Sequence, residues 1–288
     1  MNLAAQKPRP PGPSLGFTLT EMAIALMVVV LFLGGMLTPL ARQTESAQIA
    51  ETQRAMDLTI ESLIGFAITN GRLPCPDTNN DGEENMVAGA VNDNVPVVGQ
   101  SRQDFSCAAV EGTVPFAVLG SAASDKWGNR FRYRVTHTFA RYIADYDALG
   151  GATGGGTVIA LSTFSLASTR DINVRTRGDD LTTVGTTETK FSLSLASTVP
   201  AVVISHGKNG FGAQPISGGV RGPAPANSDE LLNGDATNAN KRLRAVTPYA
   251  ADCNDTDETK AFCEFDDLVS WVPAHVLFGR MVSAGKLP

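Results

Sequence analysis

The chain is poor in histidine and cysteine and has no surplus of positive charge, and each shortage narrows what it can do. Against 29 Asp and Glu it sets 23 Lys and Arg, for a net charge of -6 and a pI of about 5.1. Nothing in that balance favours a nucleic-acid partner. Its three histidines, His137, His206 and His275, lie far from its four cysteines, and no C-x-x-C spacing occurs, which disfavours zinc. A G-x-S-x-G nucleophile elbow is missing too. The stretch VVISHGKNGFGA, 202 to 213, runs a strand into a Gly-rich loop. GKNG lacks the upstream Gly and the following Ser or Thr of a phosphate-binding loop, and reads as a turn. Ser205 and His206 are adjacent, so on a strand they point to opposite faces. The residues carry no enzyme signature.

Charge is also missing from one long run. From Phe17 to Ala41 the single charged side chain is Glu21. The run that follows approaches the ~20 apolar residues needed to span a bilayer. No small-x-small cleavage site follows it, so it reads as a retained anchor and not a secretory signal. Lys7 and Arg9 precede it with no acid beside them, which keeps that end cytoplasmic and sends the bulk of the chain outward. Gly34, Gly35 and Pro39 would loosen the second half of the span. A carboxylate at mid-bilayer costs about 2.5 to 3.5 kcal/mol. Glu21 should therefore have a task, or sit near the membrane edge.

The helical pattern continues past the apolar run. Ile49, Met56, Ile60, Leu63 and Ala67 recur near 3.6-residue spacing. Asn70-Gly71 supplies a C-cap, and Pro74 and Pro76 prevent continuation. One helix over about 18 to 70 is expected, apolar in its first half and packed on its own domain in its second. Cys75, Cys107, Cys253 and Cys263 all lie in the outward part, where an even count suggests two disulfides. Three connectivities are possible, and Cys75–Cys107 with Cys253–Cys263 closes the shorter loops. Four reduced thiols are the alternative.

GFTLTE, 16 to 21, followed by the apolar helix, resembles the N-terminal signal of type IV prepilins and type II secretion pseudopilins. The resemblance covers residues 16 to 42. It implies that a membrane peptidase cuts between Gly16 and Phe17 and methylates the new N-terminal Phe17. Glu21 then stands fifth in the mature chain, where it could pair with the Phe17 amine of a neighbouring subunit and set register. The leader, 1 to 16, is basic but long and Pro-rich for that family. Pro39 falls one position later than the helix-breaking proline common there.

The resemblance implies four regions: a leader at 1–16, a transmembrane and assembly helix at 17–41, its amphipathic continuation at 42–72, and a periplasmic β-rich domain at 73–288. The implied fold is α+β and pilin-like, a long N-terminal helix packed on an antiparallel β-sheet with long loops. DKWGN, 125 to 129, resembles the Asp-x-Trp-Gly-Asn segment of major pseudopilins, with RFRYRV after it as a strand. Trp127 is expected as a core anchor. Further strands are expected at 157–166, 188–197, 199–204 and 265–272, with a short helix from 273. FSLAS and FSLSLAS echo each other as two strands of one sheet. Residues 71–85 read as an exposed, turn-rich segment, and 218–242 as a surface loop.

Two acidic loops could hold calcium, with solvated turns as the alternative. DTNNDG places Asp77, Asn79 and Asp81 at alternate positions before Gly82, the opening half of an EF-hand-like loop. Position twelve would be Ala88, so a complete EF-hand is excluded. DCNDTDE offers Asp252, Asp255, Asp257 and Glu258 beside two cysteines. The reading is a minor pilin or pseudopilin whose partners are other such subunits, the prepilin peptidase and the inner membrane. The rival is a membrane-tethered periplasmic binding protein or hydrolase with an uncut anchor.

Overall fold

Thr18 starts the first helix. Its backbone N–H and its hydroxyl each donate to Glu21 Oε2 at 2.9 Å, and Glu21 N donates back to Thr18 Oγ1 at 3.3 Å. This reciprocal Thr-x-x-Glu exchange is a capping box, which satisfies N–H groups that a helix start leaves without partners. Helix α1, Leu19–Asn70, then runs unbroken through Gly34, Gly35 and Pro39. It stops where the sequence indicates. Gly71 takes a left-handed φ of 74°, and its N–H reaches Ala67 O at 2.8 Å. The structure, a computed structural model, describes residues 18–88, 102–145, 159–162, 164–176, 193–219, 228–242 and 265–287. It divides into two compact units, Met1–Ala47 and Gln48–Pro288.

The expected membrane half of α1 is overturned. Among the described residues, no helix is long and apolar enough to cross a membrane.

In the second unit α1 buries the expected stripe. Met56, Ile60, Leu63 and Ala67, joined by Ile64, enter the main core, and Ile49 packs at its edge. Among the described residues there are three sheets, not the single antiparallel sheet expected. The first contains β1 (Met86–Ala88), β2 (Arg102–Cys107), β5 (Tyr142–Asp145) and β6 (Ile159–Ser162) in that spatial order. The second contains β3 (Glu111–Thr113), β4 (Arg132–Val135), β9 (Ala201–Ser205) and β11 (Leu268–Trp271), ordered β11-β9-β4-β3. The third contains β7 (Ile172–Thr176), β8 (Leu193–Val199) and β10 (Asn240–Arg242), ordered β10-β7-β8 with β10 parallel to β7.

The reason for the extra layer is legible in β9. All five of its residues are buried. Ala201 and Val203 enter the main core, whereas Val202 and Ile204 enter a second core with Ile172, Val174, Val199 and Val269. Alternate residues of a strand face opposite ways, so a strand buried on both faces needs a layer on each.

Other expectations are corrected locally. The segment 218–242 is not all loop: it holds α4, Ser228–Gly234, and then β10. Two one-turn helices, α2 (Phe116–Leu119) and α3 (His137–Ala140), precede it, and α5 is the expected terminal helix, Ala274–Ser283. FSLAS is not a strand. Phe164 is buried and stacks on Phe139, and the chain then turns, with Ser168 N bonded to Ser165 O. Residues 71–77 are buried rather than exposed. Trp127 is half-buried outside both cores.

Candidate functional site

Several residues singled out in the sequence have clear places. Cys75 and Cys107 form a disulfide with Cα atoms 5.2 Å apart, tying the segment after α1 to the end of β2. Glu84 braces this corner, since Cys75 N donates to it and Arg72 forks onto both its oxygens at 2.6 and 2.8 Å. Asp77 is buried, and its carboxylate accepts backbone N–H groups from Asn79, Asn80 and Gly82 at 2.6 to 3.0 Å. Asn79 Nδ2 donates to Asp81 Oδ2 at 2.9 Å, so Asp77, Asn79 and Asp81 share one internally bonded turn. Gly16, Phe17, Cys253, Cys263, Asp252, Asp255 and Asp257 lie outside the described residues. Glu21 is exposed at the first turn of α1, where Oε2 serves the cap.

The DKWGN turn is a staple. Asp125 Oδ1 accepts from Trp127 N and Asn129 N, both at 2.9 Å, and Oδ2 accepts from Ser205 Oγ at 2.7 Å. Asn129 Nδ2 donates to Gly207 O at 3.1 Å. The turn thereby fixes the end of β9. Gly207 is required there: its φ is 55°, and a Cβ would lie 2.5 Å from Asp266.

Beyond that end lies a buried polar network assembled from elements far apart in the chain. Glu111 on β3 is its hub. It accepts from Arg132 Nη1 at 2.7 Å, Arg134 Nη1 at 3.1 Å and Lys241 Nζ at 3.2 Å. Lys241, on β10, is wholly buried and also donates to Asn233 O and Asp235 O. Burial depresses its ammonium to about 8, against the pull of Glu111. One buried carboxylate thus answers three buried or half-buried cations. Asp171 adds only a partly exposed carboxylate 3.8 Å from Arg134.

Arg132 Nε donates to His206 Nε2 at 3.1 Å, which places the ring proton on Nδ1, facing Asp267 Oδ1 at 3.2 Å. Asn233 Nδ2 holds the other Asp267 oxygen at 2.9 Å. With Nε2 engaged by Arg132 and Ser205 turned to Asp125, His206 and Ser205 do not form a nucleophile–base pair. Beside Asp267 lie Asp266 and Glu230, and one oxygen of each of the three lies within 4.8 Å of the others. Burial pushes Glu230 up to about 8 and Asp266 up to about 7, with Asp267 adding repulsion to both. These three carboxylates could hold a cation. The sequence does not single them out, and the one visible signal is the charged pair Asp266-Asp267 directly before an apolar strand.

A cavity of about 290 Å³ opens against this network. Arg130, Arg132, His206, Glu111, Asp77 and Gln214 are among its walls. Arg130 Nη1 is buried away from solvent and has no hydrogen-bond partner among the described residues. The guanidinium stacks over the Phe116 ring, 4.9 Å from its centroid.

Comparison of the chain with models of known protein families, with curated proteins and with solved structures gives no match in any of the three.

Proposed function

We propose that the chain is a structural subunit of a filament of the type IV pilus or type II secretion kind, cut by prepilin peptidase after Gly16 and assembled through the start of α1. One observation carries this reading. Directly after GFTLTE the helix shows apolar side chains on all sides: Ile24 is 64% exposed, Leu26 60%, Met27 69% and Val29 51%. Uncovered apolar surface of that extent marks an interaction site. The capping box leaves Glu21 Oε1 without a partner among the described residues. That oxygen can receive the amine of Phe17 from a neighbouring subunit while Oε2 holds its own helix start. The Cys75–Cys107 disulfide supports export of the second unit to an oxidising compartment. In this reading the chain is a peptidase substrate and not itself an enzyme. The size of the second unit favours a minor subunit over a densely packed major one.

The test is the intact mass of the chain recovered from cells with and without an active prepilin peptidase. Loss of residues 1 to 16 together with gain of one methyl group is expected. A full-length chain, beside a correctly processed control substrate, overturns the reading in favour of a tethered domain. Glu21→Gln should leave processing intact and abolish filament incorporation.

A further inference from the structure

We infer that the outer edge of β11, with the groove beside it, binds an extended segment of another polypeptide. That segment is apolar at alternate positions and carries a lysine or arginine. The inference stands apart from the filament reading, since it rests only on residues of the second unit.

Hydrogen-bond parity leaves this edge open. Among the described residues β11 ends its sheet and pairs with β9 alone, from Leu268 opposite Ser205 to Trp271 opposite Val202. One step further in the same register, Val272 N donates to Ala201 O at 2.9 Å. The backbone groups of an antiparallel strand turn to its partner at every second residue, so Ser270 and Leu268 also face β9. Val269 and Trp271 turn their N–H and C=O outward, where no described residue bonds them. The opposite end of the sheet is closed. There Asp77 bridges β3, with Asp77 N donating to Thr113 O at 2.9 Å and Thr113 N to Asp77 O at 2.7 Å. β11 has no such cover among the described residues, and its sequence, Leu-Val-Ser-Trp, carries none of the charges that usually guard an edge.

A groove of about 530 Å³ runs along the edge, and Val269, Ser270 and Trp271 all line it. Consecutive strand residues point to opposite faces, so one groove touches all three only from the side of the strand. α1 forms the facing wall, held to β11 by Gln53 Nε2 donating to Ser270 Oγ at 3.1 Å. That wall presents Ile60 and Ile64 as apolar surface, and Asp57 and Glu61, one helical turn apart, as charge. Arg280 meets Glu61 at 2.7 Å. Asp57 accepts from Gln53 Nε2 at 3.3 Å and has no cation among the described residues. No Lys, Arg or His lines the groove.

The occupant follows from these parts. Outward backbone groups two residues apart match an added strand, and not a helix or a small solute. The four residues of β11 rise about 13 Å, so a partner stretch of about five residues covers them. Its side chains on the α1 side meet Ile60 and Ile64, and the uncompensated Asp57 selects a basic residue among them. Pro273 lines the end of the groove where the strand stops.

The full chain would be titrated with a fluorescein-labelled peptide, Lys-Val-Val-Thr-Val, and binding read by fluorescence anisotropy. Saturable binding is expected. N-methylation at the second and fourth residues, or at the third and fifth, should abolish binding for one set and spare it for the other, since alternate N–H groups face β11. Asp57→Asn, a change at an exposed side chain, should weaken the peptide about two- to fivefold, an effect lost near about 1 M salt. Amide exchange locates the site. In the free chain the Val269 and Trp271 amides should exchange faster than those of Leu268 and Ser270, and the peptide should slow them. Absence of saturable binding overturns the inference, as does equal binding by the two N-methylated peptides or full binding by Asp57→Asn. Slow exchange of Val269 and Trp271 in the free chain would give the edge to another segment of this chain. A concentration-dependent dimer that protects the same two amides would give it to a second copy. Either result overturns the inference equally.

Discussion

Glu111→Gln is the sharpest probe of the buried network. The substitution keeps the shape of the side chain and removes the one charge that Arg132, Arg134 and Lys241 share at 2.7 to 3.2 Å. At an effective dielectric near 20, a pair of unit charges about 3 Å apart attracts by roughly 5 kcal/mol before desolvation is counted. Three such attractions do not add, since each cation also loses hydration. Removing one partner of a buried ion pair nonetheless costs about 3 to 5 kcal/mol, because the remaining charge stays buried without its counterion. Glu111→Gln should lose that much. Lys241→Met should behave differently. It removes a wholly buried ammonium whose desolvation opposes folding, and Glu111 keeps two arginines. A change within about 1.5 kcal/mol is expected there, the loss being the two carbonyl acceptors Asn233 O and Asp235 O. Urea unfolding followed by tryptophan fluorescence reads both, since Trp127 and Trp271 lie in the second unit. A Glu111→Gln loss below about 1 kcal/mol, or a Lys241→Met loss as large as that of Glu111→Gln, would refute the hub assignment.

The acid pair gives a pH signature. Glu230 and Asp266 hold protons in the folded state at pH values where the unfolded chain has released them. Stability should therefore fall as pH rises from 5 to 8, by up to about 4 kcal/mol for one proton held across that window. Urea midpoints at the two pH values check it, and Glu230→Gln should flatten the slope; stability that rises over this window contradicts the assignment. Lys241 works in the opposite sense above pH 8, where the folded state gives up its proton before the unfolded state does, so stability should recover there. Replacing Cys75 and Cys107 by serine opens a link across 32 residues. By chain entropy this costs about 3.7 kcal/mol, measurable as a lower urea midpoint. Thr18→Ala should weaken the start of α1 by about 1 kcal/mol, seen as faster amide exchange over residues 19 to 25.

Local signals in the sequence were reliable where one short stretch decides the outcome. Asn70-Gly71 ends α1, Leu268–Trp271 lies within an expected strand and Ala201–Ser205 overlaps another, and Cys75 pairs with Cys107. The helix stripe from Met56 to Ala67 is the core face of α1. The capping box was equally local: Thr18-Leu-Thr-Glu21 has the Ser/Thr-x-x-Glu spacing, overshadowed by the apolar run beside it. Three sheets were not legible, because the fate of β9 depends on which strands cover its second face. The polar network was invisible for the same reason. Glu111, Arg132, His206, Lys241 and Asp267 are scattered over more than half the chain, and each reads alone as a surface residue. Trp127 illustrates the limit of reasoning by residue type, since the ring belongs to a turn fixed by Asp125 and not to either core.

The two-faced burial of β9 couples what would otherwise be separate folding events. Ala201 and Val203 fill one hydrophobic cluster and Val202 and Ile204 the other, so the strand is a wall common to both. Neither cluster can come apart without exposing the back of the other's wall. A slip of β9 by a single residue would exchange the side chains delivered to the two sides, so alternative registers are penalised twice. The second unit should consequently melt in one cooperative transition, with the amides of β9 the last to exchange.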